Sequence, residues 1–148
     1  MKLNLYMQVH LATTDSELQK IISLRYKILR EPWQQALETA FDNLEAASYN
    51  AFIVNENDEV IACGRLQKNN PKTGQIRYMA VDAKYQGKSL GKRIVKFLEE
   101  KALELKLNEI ELQARENAVK FYESQGYVIK EKTFLLWGII QHYLMVKK

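Results

Sequence analysis

Ile76-Arg-Tyr-Met-Ala-Val81, followed at once by Asp82-Ala-Lys-Tyr-Gln-Gly-Lys-Ser-Leu-Gly91, is the stretch on which the fold turns. Its first six residues read as a strand, apolar but for Arg77, the next ten are mostly polar with two glycines, and a helix opens within them, running from about Ser89 to Leu107. On that helix Ile94, Val95, Leu98, Ala102 and Leu105 form an apolar stripe, with lysines and glutamates on the other faces. A strand that feeds a helix through a glycine-bearing loop leaves the first N–H groups of the helix without partners, and those groups with the helix dipole attract phosphate. Gly87 and Gly91 let the chain turn and a ligand approach, while Lys88, Lys92 and Arg93 add full positive charge. The spacing matches neither G-x-x-x-x-G-K-[ST] nor G-x-G-x-x-G. Alone, the loop reads equally well as an ordinary helix start.

Working outward, Ile110, Leu112 and Ala114 alternate with Glu109, Glu111 and Gln113, which predicts a strand parallel to 76–81 after the helical crossover. Upstream, Ala51–Val54, the turn Asn55–Asp58 and Val60–Leu66 predict an antiparallel hairpin, and the turn Asn69–Gly74 feeds Gln75–Val81 as the third strand of a meander. Met7, Val9 and Leu11 alternate with Gln8 and His10 as a further strand, with His10 on its polar face. Thr14 and Glu17 form a capping box ahead of Leu18, Ile21, Ile22, Arg25, Ile28 and Leu29, a helix that ends near Arg30 before Pro32. Residues Trp33–Ala47 read as one or two short helices. A short helix from about Asn117, closed by Gly126-Tyr127, precedes a final strand over Gln141–Val146. The fold class is α+β: a mixed, centrally antiparallel sheet flanked by helices.

At 148 residues the chain has the length of one domain, 1–148, and its 47% hydrophobic and 27% charged residues belong to a globular protein rather than a disordered or repetitive one. The opening MKLNLYMQVHLATTD has no sustained apolar segment or small-residue cleavage site, and no run reaches the roughly 20 apolar residues of a membrane span, so a cytoplasmic location is expected, with no membrane partner. One cysteine, Cys63, and two distant histidines, His10 and His142, predict no metal site; Cys63 reads as a small buried side chain. The net charge of +4 is unevenly spread. Residues 31–59 hold seven acids and no base, whereas 84–106 hold seven bases against three acids. The basic segment suits an anionic cofactor and the acidic one a cationic substrate, although two solvated faces would look the same. A pI near 9.1 without a recognised motif does not make a nucleic-acid binder.

The string Arg77-Tyr-Met-Ala-Val-Asp-x-x-Tyr-Gln-Gly-Lys-x-x-Gly91, then a helix, a strand and Ala114-x-x-Asn117-Ala-x-x-Phe-Tyr-Glu-x-x-Gly-Tyr127, resembles the GNAT superfamily of acyl-CoA-dependent N-acetyltransferases. The ending Trp137-Gly-Ile-Ile-Gln-His-Tyr-Leu-Met145 is similar to that of the ElaA-like branch, with one extra residue between isoleucine and histidine. The resemblance implies that acetyl-CoA is the cosubstrate and that its pyrophosphate binds the backbone of Gln86, Gly87, Lys88, Ser89, Leu90, Gly91 and Lys92. Ser89 stands where the family pattern has its middle glycine. The resemblance further implies that main-chain groups of Met79 and Val81 pair with the pantetheine, and that a splayed strand pair, Met79–Val81 against Leu112–Ala114, admits the thioester. Asn117 matches the asparagine that bonds the pantetheine, although it also reads as a helix N-cap. Tyr122 matches the general acid that protonates the departing thiolate; a core tyrosine is the plainer reading.

An acyl thioester is already activated, so the enzyme has mainly to orient a neutral amine, polarise the carbonyl with a strand amide and take up a proton. His142 is the base candidate by its ordinary pKa, against the commoner structural histidine. Trp33, Phe41 and Trp137 are candidates for lining the acceptor pocket. The acceptor is expected to be an amine, cationic if the acids Glu31, Asp42 and Glu45 face it. A non-catalytic acyl-CoA sensor or interaction module on the same fold fits the same motifs, and a homodimer is compatible with them.

Overall fold

The computed structural model describes residues 7–148, so residues 1–6, the start of the stretch read above for a leader, lie outside it. Seven strands form one sheet: β1 (Val9–Leu11), β2 (Tyr49–Val54), β3 (Val60–Lys68), β4 (Thr73–Val81), β5 (Glu109–Arg115), β6 (Val128–Leu136) and β7 (Ile140–Lys147). Their spatial order is β1-β2-β3-β4-β5-β7-β6, and every pair is antiparallel except β4–β5. The mixed, centrally antiparallel sheet is therefore as expected, and no helix among the described residues is long and apolar enough to cross a membrane.

Helix α1 (Asp15–Leu29) starts on the capping box: the Glu17 amide donates 3.1 Å to the Thr14 hydroxyl, and the Glu17 carboxylate accepts from the Thr14 amide at 3.1 Å. It lays Ile21 and Leu24 on one face of the sheet, against Phe52, Val54, Cys63 and Ala80. The α2 helix (Leu90–Glu104) covers the opposite face, packing Ile94, Val95, Leu98 and Ala102 on Ala51, Ile53, Ala62, Leu66 and Ile76. Adjacent residues of β2 thus serve opposite cores, the period of two that a strand covered on both sides requires. His10 lies opposite Phe52 in the β1–β2 register, with its ring 5.8 Å away, so the face read as polar is the one α1 covers. The short α3 helix (Val119–Ser124) follows β5.

Two segments differ from expectation. Residues 31–47 form three 3-10 turns, Glu31–Trp33, Leu37–Ala40 and Glu45–Ala47, because Pro32 and the scattered apolar residues support no continuous stripe. Strand β6 was not expected at all. It is the sheet edge, solvent-exposed from Val128 to Leu135 and carrying Lys130, Glu131 and Lys132 in succession, so it lacks the apolar alternation that marks a half-buried strand.

Candidate active-site cleft

Strands β4 and β5 are paired only from Thr73↔Glu109 to Ile76↔Leu112. Beyond that point β5 remains on β7 as far as Arg115↔His142, whereas β4 follows β3 away. The cause lies in the β3–β4 register, where Cys63 faces Ala80 and Arg65 faces Arg77, leaving Tyr78 and Met79 both opposite Gly64. This is a β-bulge, and Tyr78 adopts φ +55, a left-handed conformation that costs a non-glycine residue roughly 1–3 kcal/mol. A bulge bends its strand and sharpens the twist, which opens a wedge between Arg77–Val81 and Gln113–Arg115. The cleft that results has a volume of ≈ 1030 Å³.

One end of the cleft is the start of α2. Ser89 is its N-cap, with φ +65 and no side-chain capping bond, and the first helical backbone bond is from the Arg93 amide to the Ser89 carbonyl. The amides of Ser89 to Lys92 are left for a ligand, which fits a pyrophosphate. Gly87, also at positive φ, and the Gln86 amide, which donates 3.2 Å to the Val81 carbonyl, fold the loop back onto the end of β4. The Asp82 carboxylate accepts from the Lys84 amide at 3.0 Å and pairs with Lys27 at 3.0 Å, tying the same loop to α1. Ser89 therefore takes the left-handed conformation that glycine adopts freely, and the loop closes with serine in that place.

Met79, Val81, Gln86, Gly87, Ser89, Leu90, Gly91, Lys92, Asn117, Tyr122 and His142 all line this one cleft. Lys88 does not; its ammonium lies 5.6 Å from the Tyr85 ring centroid. Asn117 sits inside the 3-10 turn Glu116–Ala118 and is exposed, and the caps are Arg115 for the turn and Ala118 for α3, so the N-cap reading of Asn117 is set aside. Tyr122 packs edge-on against Phe121 and Tyr127, with centroids at 5.0 and 5.9 Å, and burial pushes its phenol above the ordinary value. Cys63 is fully buried, its thiol donating 3.6 Å to the Tyr78 carbonyl, and burial raises its pKa to about 11, which makes it packing rather than a nucleophile.

The far end of the cleft is built from α1, the turn after it, and β5–β7. His142 is 5% exposed, stacked on Phe134 at 4.4 Å, and its Nδ1–H donates 3.0 Å to the Ile140 carbonyl. Because a carbonyl can only accept, the proton is on Nδ1 and the Nε2 lone pair is free to accept. Burial, opposed by that hydrogen bond and joined by the charges of Arg115 and Arg30, lowers its pKa, keeping it neutral at pH 7. Trp33 lines the cleft, Trp137 stands behind it at 6.1 Å, and Phe41 lies elsewhere, partly exposed.

The acidic stretch does not face the cleft. Arg25 and Arg65 are fully buried beneath Tyr78, their guanidinium carbons 4.4 and 4.9 Å from its ring centroid. Arg25 bonds Glu45 with both terminal nitrogens at 2.8 and 3.2 Å, and Arg65 clamps Asp42 at 2.7 and 2.9 Å. Arg77 also reaches Asp42, at 3.4 Å. Asp42 and Glu45 thus neutralise buried guanidiniums, and with Glu31 also absent from the cleft wall, the expectation that these three draw a cationic acceptor loses its basis. Sequence reasoning gave Tyr78, Arg30 and Arg115 no role at this site; only the positions of Arg25 on the α1 stripe, Arg30 at its end, and Arg77 and Tyr78 in the motif were visible.

A family model for the acetyltransferase (GNAT) family matches residues 18–127. Among solved structures, a candidate N-acetyltransferase from Lactobacillus plantarum superposes with a TM-score of 0.85 at 18% identity, over 96% of this chain and 97% of that one. Escherichia coli ElaA gives 0.78 at 19% identity, over 95% and 100% of the two chains. An aminoglycoside 6'-N-acetyltransferase complexed with coenzyme A gives 0.79 at 15% identity, over 95% and 96%. At such identities the three likenesses are of fold.

Proposed function

Since the chain belongs to the acetyltransferase (GNAT) family, we propose that residues 1–148 form one N-acetyltransferase domain that moves an acetyl group from acetyl-CoA to a primary amine of a small molecule or peptide, by direct attack in a ternary complex. The observation that carries this reading is the wedge after Ile76↔Leu112, which runs from the uncapped start of α2 to the free Nε2 of His142. The coenzyme A complex of an aminoglycoside acetyltransferase with the same fold supports the choice of ligand. A cytoplasmic location goes with such a donor.

Bound acetyl-CoA supplies an acyl carbon already activated as a thioester, which leaves orientation and proton movement to the protein. The amides of Ser89 to Lys92, with the Lys92 charge beside them, hold the pyrophosphate. Main-chain groups of Met79 and the Val81 N–H, on the side that β5 has left, and the exposed Asn117 amide hold the pantetheine. A strand amide in the same bulged segment polarises the carbonyl. Tyr122 serves as general acid: its raised pKa keeps the phenol protonated, ready to donate to a thiolate. The neutral imidazole of His142 takes up the amine proton at Nε2.

Calorimetric titration with acetyl-CoA, followed by thiol release across a panel of amines in the same preparation, tests the reading. Micromolar binding with amine-dependent release is the expected result. Binding without release by any amine would instead make the chain an acyl-CoA sensor, and absence of binding would overturn the assignment of the loop.

A further inference from the structure

Among the described residues that wall the cleft there is no aspartate or glutamate, while Arg30, Arg77, Lys92 and Arg115 all contribute. Two of these charges have other work: Lys92 stands at the phosphate end, and Arg77 reaches Asp42. Arg30 and Arg115 have none. They arrive from different elements, the end of α1 and the end of β5, and converge on a single acceptor, the Leu29 carbonyl, at 3.0 Å each. Arg30 donates once more, to the Thr39 carbonyl at 3.1 Å. Neither forms an ion pair among the described residues, and Glu116, next to Arg115 in sequence, is exposed and does not pair with it.

Two guanidiniums side by side repel, and removing them from water adds to the cost. Burial, and then the neighbouring Arg30 charge, pulls Arg115 down to about 10, and burial lowers Arg30 as well. What holds Arg115 there is aromatic: its guanidinium carbon lies 4.6 Å from the Trp33 ring centroid and 5.9 Å from that of Trp137, while Arg30 is 5.5 Å from Trp137. Each guanidinium has five donors, and those not spent on Leu29 or Thr39 remain. The pair stands beside His142, which is opposite Arg115 in the β5–β7 register and so on the same side of the sheet.

We propose that the acceptor amine carries a carboxylate, and that Arg30 and Arg115, backed by Trp33, bind that group while the amine faces His142. The substrate class is then an amino acid or a peptide end with a free carboxylate close to the amine, rather than a polyamine or other polycation. Planar guanidiniums match a carboxylate with paired N–H donors, and an arriving anion removes the repulsion between the two arginines. This inference rests on the acetyl-transfer reading of the cleft.

The test uses product analogues, so that it does not depend on turnover. The two tryptophans of the chain, Trp33 and Trp137, both flank the arginine pair, and their fluorescence reports on it directly. The full chain loaded with coenzyme A is titrated with N-acetylglycine and N-acetylleucine, with the primary amide of each, and with mono-N-acetyl-1,4-diaminobutane. The carboxylates are expected to bind about tenfold or more tightly than their amides, as charge-assisted pairs do relative to neutral ones. Arg115→Gln should abolish the difference and Arg115→Lys restore part of it. Equal binding of acid and amide, tightest binding of the diamine derivative, or no saturable quenching by either carboxylate overturns the proposal, and each is read on the unaltered protein. Thiol release separates the two readings: release from amines without carboxylate preference leaves acetyl transfer standing and removes this inference, whereas selective binding of the acids with no release keeps the carboxylate contact but removes acetyl transfer, and with it the assignment of an acceptor.

Discussion

The thioether of Met79 occupies the space that a Cβ on Gly64 would fill, and the Ile94 methyl closes the same space at 2.7 Å. Gly64 is the residue of β3 that faces both Tyr78 and Met79 in the bulge. Glycine is required there for room rather than for backbone freedom, since its φ is not positive. Gly64→Ala is therefore expected to destabilise the fold by about 1–3 kcal/mol, the usual cost of overpacking a dense core. Met79→Ala in the same background should recover part of the loss, a coupling that a double-mutant cycle on melting curves measures. An unshifted Tm for Gly64→Ala would show that the two strands yield at this point and that the bulge is not wedged open.

Ser89 offers the opposite case. Its φ of +65 is left-handed, its side chain makes no capping bond, and it is exposed. Ser89→Gly relieves the backbone without removing a contact, and a gain of about 1 kcal/mol is expected. Acetyl-CoA affinity should stay the same or rise, because the amides of the loop keep their arrangement. A lower Tm or a weaker affinity would mean that the serine hydroxyl holds the loop in a way the geometry does not contain.

What could be read from the sequence was what is local. The capping box at Thr14, the stripe of α2 and the glycine-bearing loop each depend on residues within a few positions of one another. Strand β6 escaped because an exposed edge with Lys130, Glu131 and Lys132 has no buried face to impose a pattern. The position of Arg25 on the α1 stripe was visible, but its burial was not, since Glu45, which neutralises it, and Asn50, which accepts a hydrogen bond from it, lie 20 and 25 residues away. The Arg30–Arg115 pair is more distant still: the alternation of Ile110, Leu112 and Ala114 puts Arg115 on the other face of β5, and only the sheet order brings that face to the end of α1.

The buried charge cluster sets the acid limit of the fold. The Arg65 hydrogen bonds hold the Asp42 carboxyl at about 2, below its ordinary 3.8. A depressed carboxylate contributes stability that is complete above its unfolded value and lost as pH falls toward its folded one. Tm should therefore decline between those two values, and Asp42→Asn should flatten that decline while lowering Tm at neutral pH.

Glu45 is the more critical partner, because it is buried and faces both Arg25 and Arg65, at 2.8 and 3.0 Å. Removing one side of a buried ion pair costs roughly 3–5 kcal/mol, so Glu45→Ala should unfold a substantial fraction of the protein at 37 °C. Denaturant melts measure the loss; a change below about 1 kcal/mol, the range of exposed pairs, would mean that solvent reaches the two arginines.

Tyr122→Phe keeps the ring between Phe121 and Tyr127 and deletes only the phenol. If Tyr122 is the general acid, kcat should fall by about 10²-fold or more while acetyl-CoA affinity measured by calorimetry hardly moves. Burial raises the phenol, so no alkaline decline from its ionisation is expected below its ordinary value of 10. Full turnover in Tyr122→Phe would leave the thiolate to be protonated by solvent.

His142 gives the other limb. The base must be neutral to accept a proton, and burial together with the Arg115 and Arg30 charges moves its pKa below 6.5. The rate in kcat/KM, counted per neutral amine, should accordingly climb as pH rises through a midpoint under 6.5 and then level off. In His142→Gln the plateau should drop by about 10²-fold and the limb should vanish, since glutamine does not titrate. Arg115→Lys, which keeps the charge, should leave the midpoint low, whereas Arg115→Gln should move it upward by removing a positive neighbour. This last shift separates a base in the cleft from a histidine that only packs on Phe134: a packing residue would lose stability on substitution without carrying the pH profile with it.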